Sequence, residues 1–221
     1  MLFNLLRGNM DLHSVLVHFA VVFLMIFLIL PVHEFAHAGV AYLLGDKSIK
    51  YRGRLSLNPV KHIDIAGALC MLLFGFGWAK PVPIHPGNFK KPKLYMGITA
   101  LAGPVSNILC GMLGGALTLL YVNLTSVEFF YSTAGIFVWD FLTYYVSINV
   151  SLAVFNLIPI PPLDGSRVVS IFLPNKAVNF IYRIERYTFL LVIILSYTGV
   201  LSYIMNLFTP FLVRLCFFFA I

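Results

Sequence analysis

The stretch Leu12–Leu44, LHSVLVHFAVVFLMIFLILPVHEFAHAGVAYLL, decides how this chain is read. It is longer than the roughly 20 apolar residues needed to cross a bilayer, so as a helix it must tilt, kink or be partly buried. Pro31 supplies a reason for a kink, because proline removes one helical donor and clashes with the preceding turn. Directly after it stand His33, Glu34 and His37. Residues four apart lie on one helical face, so the two imidazoles can grip one Zn²⁺ at about 2.0–2.1 Å each. Glu34 is then placed to act on water at the open coordination position, as an HExxH hydrolase requires. A pair of interfacial histidines is the plainer alternative. Against it, three ionisable residues within five positions of an apolar segment are costly unless each has a partner or a task.

The rest of the chain agrees with a membrane setting. Of its 221 residues, 60% are apolar and 10% charged, against about 45–50% and 25% in soluble domains. The net charge of +7 therefore speaks of membrane orientation and not of nucleic acid. Three scattered cysteines, Cys70, Cys110 and Cys216, form neither a disulfide framework nor a metal knuckle. The N-terminal residues are too short and mixed for a cleaved signal. Further spans are expected near Leu94–Val122, Ala134–Ile158 and Tyr187–Met205, with a last apolar piece after Pro210. Ile65–Trp78 is apolar but too short to span, which points to a re-entrant segment. From Ile49 to Leu57 apolar residues and Gly53 alternate with polar ones, a period of two that predicts a half-buried strand. The expected fold is one all-α polytopic membrane domain, residues 1–221. It has about 4–6 transmembrane helices, a small membrane-associated β element and a re-entrant segment.

Basic residues set the orientation. Lys47, Lys50, Arg52, Arg54, Lys61, Lys80, Lys90, Lys91 and Lys93 lie between the first run and the second span, and Arg167, Lys176, Arg183 and Arg186 follow the third; residues 123–133 carry none. This alternation predicts the N-terminus outside and residues 45–93 and 160–186 facing the cytoplasm. His37 then sits about 10 Å from the inner end of its run. Among the acidic residues, Asp46, Asp64, Asp164 and Glu185 fall on that side as candidates for a third ligand. Prolines 159, 161 and 162 end the third span before Asp164-Gly165 and can hold that carboxylate rigidly. Asp164 as the N-cap of a short helix Gly165–Phe172 is also reasonable, and the two roles are compatible.

Taken together, His33-Glu-Phe-Ala-His37, Ala102-Gly-Pro-Val-Ser-Asn107 and Asn156-Leu-Ile-Pro-Ile-Pro-Pro-Leu-Asp164-Gly165 resemble the site-2 protease family of intramembrane zinc metalloproteases. Phe76-Gly-Trp-Ala-Lys-Pro-Val-Pro-Ile-His-Pro86 resembles its compact prokaryotic branch, without PDZ or CBS domains. The resemblance implies one zinc on His33, His37 and Asp164, with Glu34 as general acid/base and a catalytic core at about 12–170. It places Asn156 near the metal and matches Asn107 to the Asn of the Gly-Pro motif; either could donate to an oxyanion, and interhelical hydrogen bonding is the alternative for both. It also implies transmembrane protein substrates, such as membrane-tethered regulators, cut near the cytoplasmic side. Ser166 stands where members often have a second glycine.

An extended substrate needs an edge to lie on. In Pro81-Val82-Pro83-Ile84 the prolines remove donors from one edge, while Val82 and Ile84 keep theirs on the other. That edge is expected to join the Ile49–Leu57 strand and to add substrate as a further strand; a rigid proline-rich turn is the alternative. A transporter passing metal or protons through the His/Asp cluster is the competing function. It would place ionisable residues in both halves of the membrane, and this chain gathers them toward one side. A metal-binding scaffold without activity would have no use for Glu34.

Overall fold

The computed structural model describes residues 19–74 and 77–218. The start of the first apolar run, with His13 and His18, lies outside the described residues. Among the described residues four helices are long and apolar enough to cross a membrane: Phe19–Leu43, Pro92–Leu124, Thr133–Leu157 and Val200–Phe218. The chain divides into two compact units, one ending at Lys90 and one beginning at Lys91.

In the first unit, Met25–Ile29 winds as a π-helix and Leu30–Leu43 as an α-helix, α1. The Leu30 N–H reaches back five residues to the Met25 carbonyl. Pro31 is the cause: it cannot donate to the Phe27 carbonyl and would collide with it, and the wider turn clears that clash. The expected kink is thus a π-helical stretch ahead of the proline. At the other end Gly45, with φ +124°, closes α1. Asp46 N–H bonds the Ala41 carbonyl at 2.9 Å and Gly45 N–H the Tyr42 carbonyl at 3.3 Å, the paired bonds of a Schellman ending.

The expected strand at Ile49–Leu57 is overturned, and among the described residues there is no strand. Ser48–Tyr51 is a short helix, α2. Its start is fixed by the Asp46 carboxylate, which accepts from the Ser48 hydroxyl at 2.6 Å. Its end is a second glycine turn at Gly53, φ +65°, with Arg54 N–H on the Ile49 carbonyl at 3.1 Å. Local turn chemistry outweighed a period-two pattern, and the supposed face is split: Ile49 is fully buried while Tyr51 is 88% exposed. Ile65–Phe74 forms α3, about 15 Å long at 1.5 Å per residue, which fits the short-segment reading. The chain then comes back along it, because a Cβ on Gly67 would strike the Trp78 backbone.

The second unit is built on Pro92–Leu124 (α4), followed by the short Val127–Phe130 (α5), Thr133–Leu157 (α6), Asp164–Ser170 (α7), Asn175–Ile184 (α8), Thr188–Tyr197 (α9) and Val200–Phe218 (α10). The Tyr187–Met205 span is corrected. Gly199, with φ +76°, breaks it into α9, at ten residues too short to cross, and α10. The C-terminal piece expected after Pro210 is instead part of α10, which carries Pro210 inside it. Val146, Val150, Val154 and Cys216 form the buried core of this unit. Small residues let the helices close. A Cβ on Gly114 would lie 2.7 Å from the Tyr145 ring, and one on Gly115 would lie 2.5 Å from the Cys216 carbonyl oxygen.

Gly115→Ala forces backbone apart and should cost about 1–3 kcal/mol, lowering the thermal unfolding midpoint in detergent by several degrees. Gly39→Ala meets nothing within 4 Å and should hold or raise that midpoint, since alanine favours helix by about 0.5–1 kcal/mol. Equal midpoints for the two variants would contradict this packing.

Candidate metal centre and its strap

His33 and His37 are 4% and 6% exposed. Their Nε2 atoms face each other at 3.0 Å, with the rings edge-to-face at 85°. Two nitrogens bound to one zinc at 2.0–2.1 Å and a tetrahedral angle lie about 3.3 Å apart. The pair therefore fits a zinc ion with a few tenths of an ångström of opening. Glu34, half-buried between them, accepts the Val82 N–H on Oε2 at 3.0 Å.

That amide belongs to a strap, residues 79–85, that has no regular secondary structure. The Arg54 guanidinium, 8% exposed, donates to the carbonyls of Lys61, Lys80 at 3.2 Å and Pro81 at 2.6 Å. Lys80 N–H bonds the His62 carbonyl at 2.8 Å. Farther along, Asp46 accepts the His85 N–H at 2.8 Å and the Asn88 amide at 2.6 Å. Asp46 is fully buried. Burial works to raise its pKa, but the hydrogen bonds from Ser48, His85 and Asn88 prevail and hold the carboxyl below its ordinary 3.8.

The edge expected at Val82 and Ile84 is corrected here. Val82 is buried, its N–H is given to Glu34, and there is no neighbouring strand among the described residues for it to join. Asp64 caps α3 by accepting the Gly67 N–H at 2.9 Å. His62 is buried, with Nε2 2.6 Å from the Ser56 carbonyl.

In the second unit Asp164 is the first residue of α7, and Leu163 takes the cap position with no side-chain bond. The carboxylate thus sits inside the first turn, where the helix dipole favours negative charge, and it is not the N-cap. Gly165 is required because a Cβ there would run into the Leu157 and Ile158 carbonyls at the end of α6. Glu185 lies 3.7 Å from Arg167, a half-buried pair that still meets solvent and is of modest energetic weight. Asp46, Asp64 and Glu185 each have structural partners within their own units. Asn107 is 1% exposed, with Oδ1 3.4 Å from the Ser106 hydroxyl. Asn156 donates to the Leu152 carbonyl of its own helix at 3.0 Å.

The sequence reading takes Asp46 as a candidate ligand and Arg54 as an orientation signal, and their roles as anchors of the strap escape it. Asp46 could have been found from the Gly45-Asp46 helix ending; Arg54 gave no local signal, because its acceptors are carbonyls up to 27 residues away.

A model of peptidase family M50 matches residues 113–196. YwhC of Bacillus subtilis (strain 168), which carries the name of a zinc metalloprotease, is 38% identical over 175 residues, 78% of this chain and 78% of its own. Rip2 of Mycolicibacterium smegmatis, named in the same way, is 30% identical over 181 residues, 78% of this chain and 65% of its own. Rip2 of Mycobacterium tuberculosis H37Rv is 30% identical over 143 residues, 62% of this chain and 51% of its own. No solved structure matches the chain.

Asp46→Asn turns an amide donor toward donors already present and should cost about 1–3 kcal/mol at neutral pH. Because the folded carboxyl titrates below its ordinary value, its contribution is complete above that value and fades as pH falls through the folded pKa. Unfolding compared between the two proteins should show the gap closing below about pH 4; a gap independent of pH would contradict the assignment.

Proposed function

The chain belongs to peptidase family M50 and is a zinc metalloprotease in a multi-pass membrane protein, and from this we propose that it cuts peptide bonds in or near transmembrane segments of other membrane proteins. The observation that carries the proposal is the His33–His37 pair, its Nε2 atoms 3.0 Å apart inside a membrane-crossing helix, with Glu34 between them.

Asp164 is our candidate for the third ligand, from the sequence motif that carries it; a catalytic zinc takes three protein ligands and keeps one position for water. When bound there, the metal supplies Lewis acidity and a water whose pKa is brought down toward about 7. Glu34 receives the water proton and returns it to the leaving amine. Asn107 and Asn156 are the candidates to donate to the developing oxyanion. Asn156 has one amide hydrogen turned back to the Leu152 carbonyl, and its amide carries a second. Ile84 is assigned to the wall along which substrate lies; Val82, buried with its N–H given to Glu34, is not. We further propose a single metalloprotease domain with its active site toward the cytoplasmic side, following the distribution of Lys and Arg, and a role in regulated intramembrane proteolysis. The transporter reading loses ground because relatives of this chain are named as metalloproteases.

The test uses the purified chain in liposomes with single-span reporter helices. Glu34→Gln should keep one zinc per chain while cleavage falls by about 10²–10⁴-fold, the usual worth of a general base. His33→Ala, His37→Ala and Asp164→Ala should lower zinc content and cleavage together. Cleavage by Glu34→Gln at the wild-type rate would overturn the mechanism, and full zinc in Asp164→Ala would overturn the ligand assignment.

A further inference from the structure

We infer that the strap at residues 79–85 is a positioning device for Glu34, with the Val82 amide as its contact point and Arg54 and Asp46 as its two anchors. The inference rests on the reading of Glu34 as the general base and adds what holds that base in place. A glutamate side chain has three rotatable bonds, and fixing it costs about 1.5–2 kcal/mol of rotamer freedom. Here one carboxylate oxygen, Oε2, is tied to the Val82 N–H at 3.0 Å, which fixes the direction in which Oε1 points.

The sequence of the strap suits this task. Pro81 and Pro83 have no N–H, so Val82 is the sole backbone donor of that tripeptide. Both prolines also fix φ near −65°, which limits how far the amide can swing. On the N-terminal side Arg54 grips the Lys80 and Pro81 carbonyls at 3.2 and 2.6 Å. On the C-terminal side Asp46 grips the His85 N–H at 2.8 Å. The anchors bracket Val82 within six residues, and both are nine-tenths or more buried. Asp46 is itself delivered by the Gly45 turn that ends the helix bearing Glu34, so the base and one of its anchors share an element. A buried arginine spent on three carbonyls is an expensive way to hold a loop, and the cost is understandable if the loop holds something in turn.

Val82→Pro deletes the donor, and Val82→Ala keeps it while trimming the side chain. With reporter helices in liposomes, Val82→Pro should lower kcat by about ten- to hundredfold, the scale of a misplaced catalytic group, with KM within twofold and zinc content unchanged. Val82→Ala should stay within about threefold of wild type. In a Glu34→Gln background Val82→Pro should bring no further loss, because the two changes act on one interaction. Equal kcat for Val82→Pro and Val82→Ala would overturn the inference, and so would a full additional loss in the Glu34→Gln background. Should Val82→Pro fail to accumulate, Arg54→Gln and Asp46→Asn carry the test: each should lower kcat with KM and zinc unchanged, and wild-type kcat in both would overturn it. The underlying reading fails separately, since it falls if Glu34→Gln itself cleaves normally.

Discussion

Two imidazoles and a carboxylate stand within five residues of an apolar, membrane-crossing helix, and a low-dielectric setting tolerates such groups only when they are partnered. Much of the first unit follows from that constraint. His33 and His37 turn toward each other one helical turn apart and are almost wholly buried. Glu34 meets a backbone amide brought in from 48 residues away. The π-helical stretch at Met25–Ile29 absorbs Pro31 just ahead of the motif, leaving α1 regular where the i, i+4 spacing must be kept.

The elements around the motif are held by polar side chains bonded to backbone. Arg54 serves carbonyls, Asp46 serves N–H groups and an amide, and Asp64 caps α3. Such bonds are worth little one at a time, but leaving one buried donor without an acceptor costs about 1–3 kcal/mol, so each residue is hard to replace. The second unit is held differently. Its helices approach closely through Gly114 and Gly115, as is expected where lipid gives no hydrophobic drive for helices to associate and close packing must supply it.

The long helices and the metal-binding motif were legible because each has a local code. Span length reads directly from Leu94–Val122 and Ala134–Ile158, and the histidine pair from its spacing of four. The failures also have local causes. Ile49–Leu57 alternates like a strand, yet Asp46 and Gly53 cap a helical turn across it. Tyr187–Met205 reads as one apolar run in sequence, yet Gly199 takes a left-handed turn and divides it. Arg54 was out of reach for a different reason: its carbonyl acceptors carry no side-chain signature, so nothing in the neighbouring residues announces the contact.

X-ray absorption at the zinc edge of the purified chain tests the central claim most directly. The expected first shell contains only nitrogen and oxygen, with two imidazoles at about 2.0–2.1 Å, and this imidazole signal disappears in His33→Ala and His37→Ala. A shell containing sulfur at about 2.3 Å, or a zinc environment unchanged in both variants, would contradict it.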